Sequence, residues 1–314
     1  MEERMKKLLL ILLILSISFT GVFANGSDEG TAAPQAEVNT QAVQDAVNAY
    51  FAEMPSNHYI IKAPEVFEKI NSGYDMVLID IRKPEDYAKG HLKGAVNIPW
   101  GMELYNQLKY IPRDKDVYVN CYSGQTAGQA IMLLNAAGVQ ARSIKYGWNF
   151  GISKAEGYEA YTDTAEYTLD TSKTYETDPA IDMAYKAYYE EFASLKGTPF
   201  ASNIVSEANA KKILDSGDSD VVFVSIRQAK DYAAGHIAGA SNIPWGKGMN
   251  EMFSSLPADK KIIVYCYSGQ TAGQTVAGLK LLGYDAVSLK GGMGTKGNPK
   301  MGWKNNGYPV VSSN

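Results

Sequence analysis

Both cysteines of the chain open the same nine residues. Cys-Tyr-Ser-Gly-Gln-Thr-Ala-Gly-Gln runs from Cys121 to Gln129 and again, unchanged, from Cys266 to Gln274. A cysteine that ends an apolar run and is followed by a glycine turn and a helix holds its sulfur over unpaired N–H groups at a helix N-terminus. Those donors and the helix dipole stabilise a thiolate, or any anion carried on the sulfur. Gly124 and Gly269 let the loop turn without a side-chain clash, while Ser123, Thr126, Ser268 and Thr271 add hydroxyl donors. Tyr122 and Tyr267 are expected as pocket walls, and Gln125 and Gln270 complete the expected substrate-binding set. A lone cysteine in such a place would more simply be a buried structural residue. Two identical loops, set between helices that have otherwise diverged, favour a reactive thiol in each copy.

The duplication extends well beyond the loops. The same offset of 145 maps Arg82 onto Arg227, His91 onto His236, Asn97 onto Asn242, Pro99 onto Pro244 and Trp100 onto Trp245. Within each copy, short apolar runs alternate with helical patterns. Met76 to Asp80 and Val221 to Ser225 read as buried parallel strands, and Val117 to Asn120 and Lys261 to Tyr265 as the strands that deliver the cysteines. Thr126 to Ala137 and Thr271 to Leu282 read as helices stopped by Gly138 and Gly283. The expectation is an α/β fold of two tandem domains, each a parallel central sheet flanked by helices, with the cysteine at the carboxyl edge of its sheet.

With 314 residues and 45% hydrophobic content the chain can build two cores. A net charge of −4 without long charged runs gives no indication of nucleic acid or an anionic membrane surface as partner. Lys6 and Lys7, the apolar run Leu8 to Ile17 and the small residue Ala24 have the form of an export signal over residues 1–24, with an uncleaved anchor as the alternative. The expected location is periplasmic or extracellular, with no membrane span after cleavage. Residues 25–41 read as a flexible tether, 42–158 and 180–314 as the two domains with a leading helix each, and 159–179 as a linker. An oxidising compartment would ordinarily join two cysteines in a disulfide, but cysteines at equivalent positions of two repeats are better explained as independent thiols. His58, His91 and His236 are too dispersed for a metal site.

The order of motifs around the loops resembles a tandem rhodanese-family protein. The first copy carries Leu78-Ile-Asp-Ile-Arg82, Asp86-Tyr87, Gly90-His91-Leu92, Gly94-Ala95 and Asn97-Ile-Pro99 ahead of its loop; the second carries Val224-Ser-Ile-Arg227, Asp231-Tyr232, Gly235-His236-Ile237, Gly239-Ala240 and Asn242-Ile-Pro244. The resemblance implies sulfur transfer through cysteine persulfides on Cys121 and Cys266, from a small donor such as thiosulfate or a persulfide to a cyanide, thiol or protein-thiol acceptor. It implies no metal and no organic cofactor. Arg82, Asp86, Arg227 and Asp231 are expected as supporting residues, each arginine pairing with the aspartate four positions on, and His91 and His236 as structural. Thiosulfate-specialised relatives tend to place Arg or Lys around the sulfur, whereas these loops are uncharged. Lys145 and Lys290, after the last strand of each copy, are candidates to compensate. Phosphatase loops of the Cys-x5-Arg form are disfavoured because Ala127 and Ala272 stand where that arginine would begin its grip. A sulfur carrier or protein-binding module without turnover is the competing reading. A thiol redox protein lacks a resolving cysteine in either copy.

Overall fold

The computed structural model describes residues 40–313, so the expected signal and all but the last two residues of the expected tether lie outside the described residues. The first repeat builds a wholly parallel five-stranded sheet from β1 (Ile60–Ile61), β2 (Met76–Asp80), β4 (Ala95–Asn97), β5 (Asp116–Asn120) and β6 (Gln140–Ile144) in the order β1-β6-β5-β2-β4. The short β3 (His91–Leu92) stands apart from it. The second repeat repeats the design with β8 (Ile204–Val205), β9 (Val221–Ser225), β10 (Ser241–Asn242), β11 (Lys261–Tyr265) and β12 (Ala286–Leu289), ordered β8-β12-β11-β9-β10. The central strands β5 and β11 are buried on both faces, which explains why they read as continuous apolar runs rather than as alternating patterns.

Helices α1 (Thr40–Ala52), α2 (Ala63–Asn71), α3 (Pro84–Tyr87), α4 (Met102–Gln107) and α5 (Gln125–Ala136) belong to the first half. Helices α6 (Pro179–Ser194), α7 (Glu207–Ser216), α8 (Ala229–Ala234) and α9 (Gln270–Leu281) belong to the second. The expected linker is partly structured: β7 (Thr162–Asp163) pairs antiparallel with β3, so residues 162–163 belong to the first repeat. In the second repeat Val311 bridges His236 in the same way.

Each leading helix packs on both repeats: α1 keeps Tyr50 stacked on Tyr59 of its own repeat, and α6 keeps Tyr188 bonded to Asn203 of its own. From α1, Phe51 is fully buried and meets Trp245 and Phe253 of the second repeat edge to face. In the same helix the Tyr50 hydroxyl donates to Gln274 Oε1 at 2.7 Å. From α6, Tyr188, Tyr189 and Phe192 surround Trp100 of the first repeat, and the Tyr188 hydroxyl donates to Gln129 Oε1 at 2.6 Å. Trp100 and Trp245 are therefore interface residues against these helices. Burying a phenyl group such as that of Phe51 contributes roughly 1.5–3 kcal/mol. One hydrophobic core, running from Val47 through Ile131 and Tyr188 to Trp245 and Val276, joins the two repeats.

The deepest contact is between α5 and α9. Gly128 lies against the first turn of α9 and Gly273 against the first turn of α5; a Cβ on either would fall under 3.0 Å from the carbonyl oxygen of Gln270 or Gln125. Only hydrogen at these two positions lets the helices cross so closely. Because both helices begin at a cysteine loop, the crossing brings the two loops together at the centre of the molecule.

Candidate active site

Each cysteine follows directly on the carboxyl end of a central strand, and the loop returns into a helix through a left-handed glycine. Gly124 has φ +89° and Gly269 φ +93°, which side-chain-bearing residues rarely adopt. The Sγ of Cys121 accepts N–H groups from Gly124 at 3.1 Å and Ala127 at 3.3 Å, and the Sγ of Cys266 accepts from Gly269 at 3.0 Å. Both thiols are unpaired and 2% exposed. Ala127 thus contributes a backbone donor to the sulfur where a Cys-x5-Arg loop would use a side chain. Backbone donors at a helix start favour negative charge on the sulfur without placing a competing cation beside it.

The loops are braced from behind by residues that the 145-residue offset also relates, although no motif singled out the first of them. Gly147 (φ +57°) and Gly292 (φ +57°) pass so close to the backbone of the cysteine loops that a Cβ would collide with the Cys121 or Cys266 carbonyl. The next residues then donate N–H to those carbonyls, Trp148 to Cys121 at 2.7 Å and Met293 to Cys266 at 2.8 Å. Asn97 and Asn242 tie the ends of β2 and β9 to the following loops, as Asn97 Nδ2 donates to the Asp80 and Arg82 carbonyls and Asn242 Nδ2 to those of Ser225 and Arg227.

The supporting residues are close to the loops, but their pairing differs from the sequence expectation. Arg82 does not pair with Asp86. It binds Asp80 through Nε and Nη2, the shortest contact being 2.6 Å, and donates to the Gly90 carbonyl at 2.7 Å. The i, i+4 rule applies on a helix, and Arg82 precedes α3; residues two apart at a strand end share a face instead. Asp86 accepts the Tyr122 hydroxyl at 2.6 Å and Lys89 Nζ at 2.8 Å, so its bonds anchor the residue next to the cysteine. Those hydrogen bonds, Lys89 first and Tyr122 second, hold the Asp86 carboxyl below its ordinary pKa, while burial and the bond to Asp86 push the Tyr122 phenol up. The second repeat keeps the tyrosine–aspartate bond between Tyr267 and Asp231. Arg227 does not pair with Asp231 either. Ser225 replaces the aspartate that Arg82 uses; Arg227 donates to the Gly235 carbonyl and lies over the Tyr265 and Tyr267 rings, and its Nε has no acceptor at 4% exposure.

Gln125 and Gln270, expected among the substrate-binding residues, have their carboxamides committed across the repeat interface. Gln125 Nε2 donates to Ser288 Oγ at 2.8 Å and the Leu289 carbonyl at 3.0 Å, and its Oε1 accepts the Gly291 N–H at 3.1 Å. Gln270 mirrors this with Ser143 Oγ at 2.7 Å, the Ile144 carbonyl at 3.3 Å and the Tyr146 N–H at 3.1 Å. Buried amides of this kind must find partners, and the nearest ones belong to the other repeat. Tyr122, Ser123 and Thr126 do line an open cleft of about 480 Å³, whose opposite wall comes from the second repeat. Ser268 and Thr271 are partly buried beside the second loop, and Tyr267 is exposed.

The histidines hold structure. His91 is fully buried, stacked on Tyr87, with Nδ1 2.9 Å from the Tyr87 carbonyl and Nε2 2.8 Å from that of Ala165. His236 stacks on Tyr232 and reaches its carbonyl at 3.0 Å. Among the described residues no cluster of His, Cys, Asp or Glu could hold a metal ion, and no helix is long and apolar enough to cross a membrane.

A parallel sheet that presents a cysteine at the centre of its carboxyl edge, in an uncharged loop of backbone donors at a helix start, defines a cysteine-loop α/β domain; here there are two. The sequence model of the Rhodanese-like domain matches residues 63–150 and 206–294, and the chain belongs to that family as a tandem member. A protein of Allochromatium vinosum named "Sulfurtransferase" is 31% identical over 112 residues, covering 35% of this chain and 95% of its own. One of Saccharopolyspora erythraea named "Putative thiosulfate sulfurtransferase" is 27% identical over 244 residues, covering 67% of this chain and 82% of its own. The crystal structure of thiosulfate sulfurtransferase from Pseudomonas aeruginosa superposes with a TM-score of 0.31 at 18% identity, over 81% of this chain and 46% of that one, too loosely to carry weight here.

Proposed function

We propose that the protein is an exported sulfurtransferase that carries sulfane sulfur as a persulfide on Cys121 and Cys266. The observation that carries this reading is the backbone donation to each sulfur at the start of a helix, two N–H groups on Cys121 and one on Cys266, with no side-chain cation in the loop. Such a loop stabilises a thiolate, and it equally stabilises the terminal sulfur anion of a persulfide. Membership of the family and the names of the relatives support the same class of reaction.

In the first half-reaction the cysteine thiolate attacks the outer sulfur of thiosulfate or of an organic persulfide. A new S–S bond forms, the donor's S–S bond breaks, and its electron pair leaves with sulfite or the donor thiolate. In the second, cyanide or a thiolate attacks the terminal sulfur, and the breaking S–S bond returns its electron pair to the cysteine. The two steps balance without an external oxidant or reductant. Export is proposed on the amino-terminal sequence pattern alone.

Intact mass measurement of the mature chain after thiosulfate or organic persulfide treatment tests the reading. The expected result is two reducible additions of one sulfur atom each, with one lost in Cys121→Ser and the other in Cys266→Ser. Two free, alkylatable thiols that gain nothing from either donor would reject sulfur transfer and leave a binding module.

A further inference from the structure

The cysteine loops contain no cation, yet the structure supplies one to the Cys121 side from the opposite repeat. Besides its bond to Ser288 Oγ, Gln125 grips the second-repeat backbone at two points, the Leu289 carbonyl and the Gly291 N–H. The residue between them is Lys290. The carboxamide that follows the Cys121 turn therefore fixes the backbone of Lys290 relative to that loop. Lys290 lines the cleft floored by Tyr122, Ser123 and Thr126. It is exposed, it is the one charged residue in that lining, and it forms no ion pair among the described residues. Gln270 brackets Lys145 in the same way, through the Ile144 carbonyl and the Tyr146 N–H, beside the Cys266 loop.

We propose that Lys290 is the anion-binding residue of the Cys121 site, acting from the other repeat on the carboxylate of a small organic thiol that accepts the persulfide sulfur. This rests on the sulfurtransfer reading above. The cleft's volume of about 480 Å³ falls in the range of pockets that enclose an organic ligand. A single tetrahedral anion would leave most of it empty. Phe150, Pro199, Ile204 and Met301 give it apolar walls, and Ser202 and Asn209 offer polar groups. The acceptor thiolate attacks the terminal sulfur of the Cys121 persulfide, the Sγ–S bond breaks, and the acceptor departs as its own persulfide while Lys290 holds its carboxylate. Symmetry of the glutamine brackets assigns Lys145 the corresponding place at Cys266.

The test uses the Cys266→Ser chain, so that only Cys121 turns over, loaded with thiosulfate or an organic persulfide and mixed with either 3-mercaptopropionate or the neutral 2-mercaptoethanol. Lys290→Ala is expected to raise KM for 3-mercaptopropionate about tenfold, the scale of one charge-assisted contact, with kcat and the reaction of 2-mercaptoethanol little changed. Lys290→Arg should restore most of the loss. Loading that proceeds normally, followed by a KM for 3-mercaptopropionate that is unchanged in Lys290→Ala, overturns the role of Lys290 and leaves sulfur transfer intact. An equal fall with both acceptors also overturns it, since that marks a structural effect. Failure of Cys121 to load from any donor rejects the underlying reading itself, and the lysine assignment with it.

Discussion

Replacing Gly128 by alanine sets two effects of opposite sign against each other. Gly128 lies in the interior of α5, away from any positive φ, so intrinsic helix propensity predicts that alanine stabilises by roughly 0.5–1 kcal/mol. The packing predicts the reverse. The new Cβ would fall under 3.0 Å from the Gln270 carbonyl oxygen and 3.4 Å from the Gln274 nitrogen, and both are backbone atoms of α9 that cannot rotate away. Over-packing of this kind costs about 1–3 kcal/mol, and a clash with a helix backbone belongs at the upper end. The net expectation is a loss of about 1–2 kcal/mol, or a fall of about 2–8 °C in Tm at 2–4 °C per kcal/mol. Gly273→Ala faces the Gln125 carbonyl with the same geometry and should lose a similar amount. One small separation of the helices relieves both clashes, so the double variant should lose less than the sum of the two singles. Urea and thermal unfolding of all three variants provide the assay. An unchanged or raised midpoint in either single variant would refute the close helix crossing as the feature that selects glycine.

Two further outcomes follow from charges near the loops. Asp80→Ala leaves Arg82, only 3% exposed, without its carboxylate, and should destabilise by about 3–5 kcal/mol in urea unfolding, the usual result of stranding a buried charge. Ser225→Ala, which removes no such partner from Arg227, should cost far less; equal losses would refute the ion-pair argument. The Asp86 carboxyl, followed by NMR, should titrate below the usual aspartate range, and Tyr122→Phe should move it upward by removing one of its two hydrogen bonds. Since its folded pKa is the lower one, its contribution to stability is present above the unfolded aspartate pKa and is lost as pH falls through the folded value. An Asp86 titration unmoved by Tyr122→Phe would refute the bond.

How much of this was legible in the chain depended on whether the controlling contact was local. The strand before each cysteine, the glycine turn and the helix after it are set by consecutive residues, and the structure places them within a residue of the pattern. The parallel sheets followed from apolar runs without alternation. The partner of Arg82 was misjudged because helix spacing was applied to a residue at the end of a strand, where alternation governs. The roles of Gln125, Gln270, Gly128 and Gly273 lay beyond reach for a different reason. Their neighbours sit well over one hundred positions away in the other repeat, and local periodicity carries no trace of them. The 145-residue offset did hold a usable signal: Ser143, Lys145 and Gly147 recur as Ser288, Lys290 and Gly292, outside the loop but at its back.

The leading helices, each shared between the two repeats, bear on what kind of object the chain is. Phe51 of α1 packs on Trp245, while Tyr189 of α6 packs on Trp100; Gln125 reaches Leu289, while Gln270 reaches Ile144; Gly128 meets Gln270, while Gly273 meets Gln125. Each of these contacts is matched by its mirror, as in an isologous twofold interface. The molecule is thus built like a twofold dimer of related halves joined in one polypeptide, with each leading helix shared between them. Covalent joining frees such an assembly from dependence on concentration. It also lets the two halves diverge, as Asp80 and Ser225 already have, so that two copies of one site can come to serve two different steps.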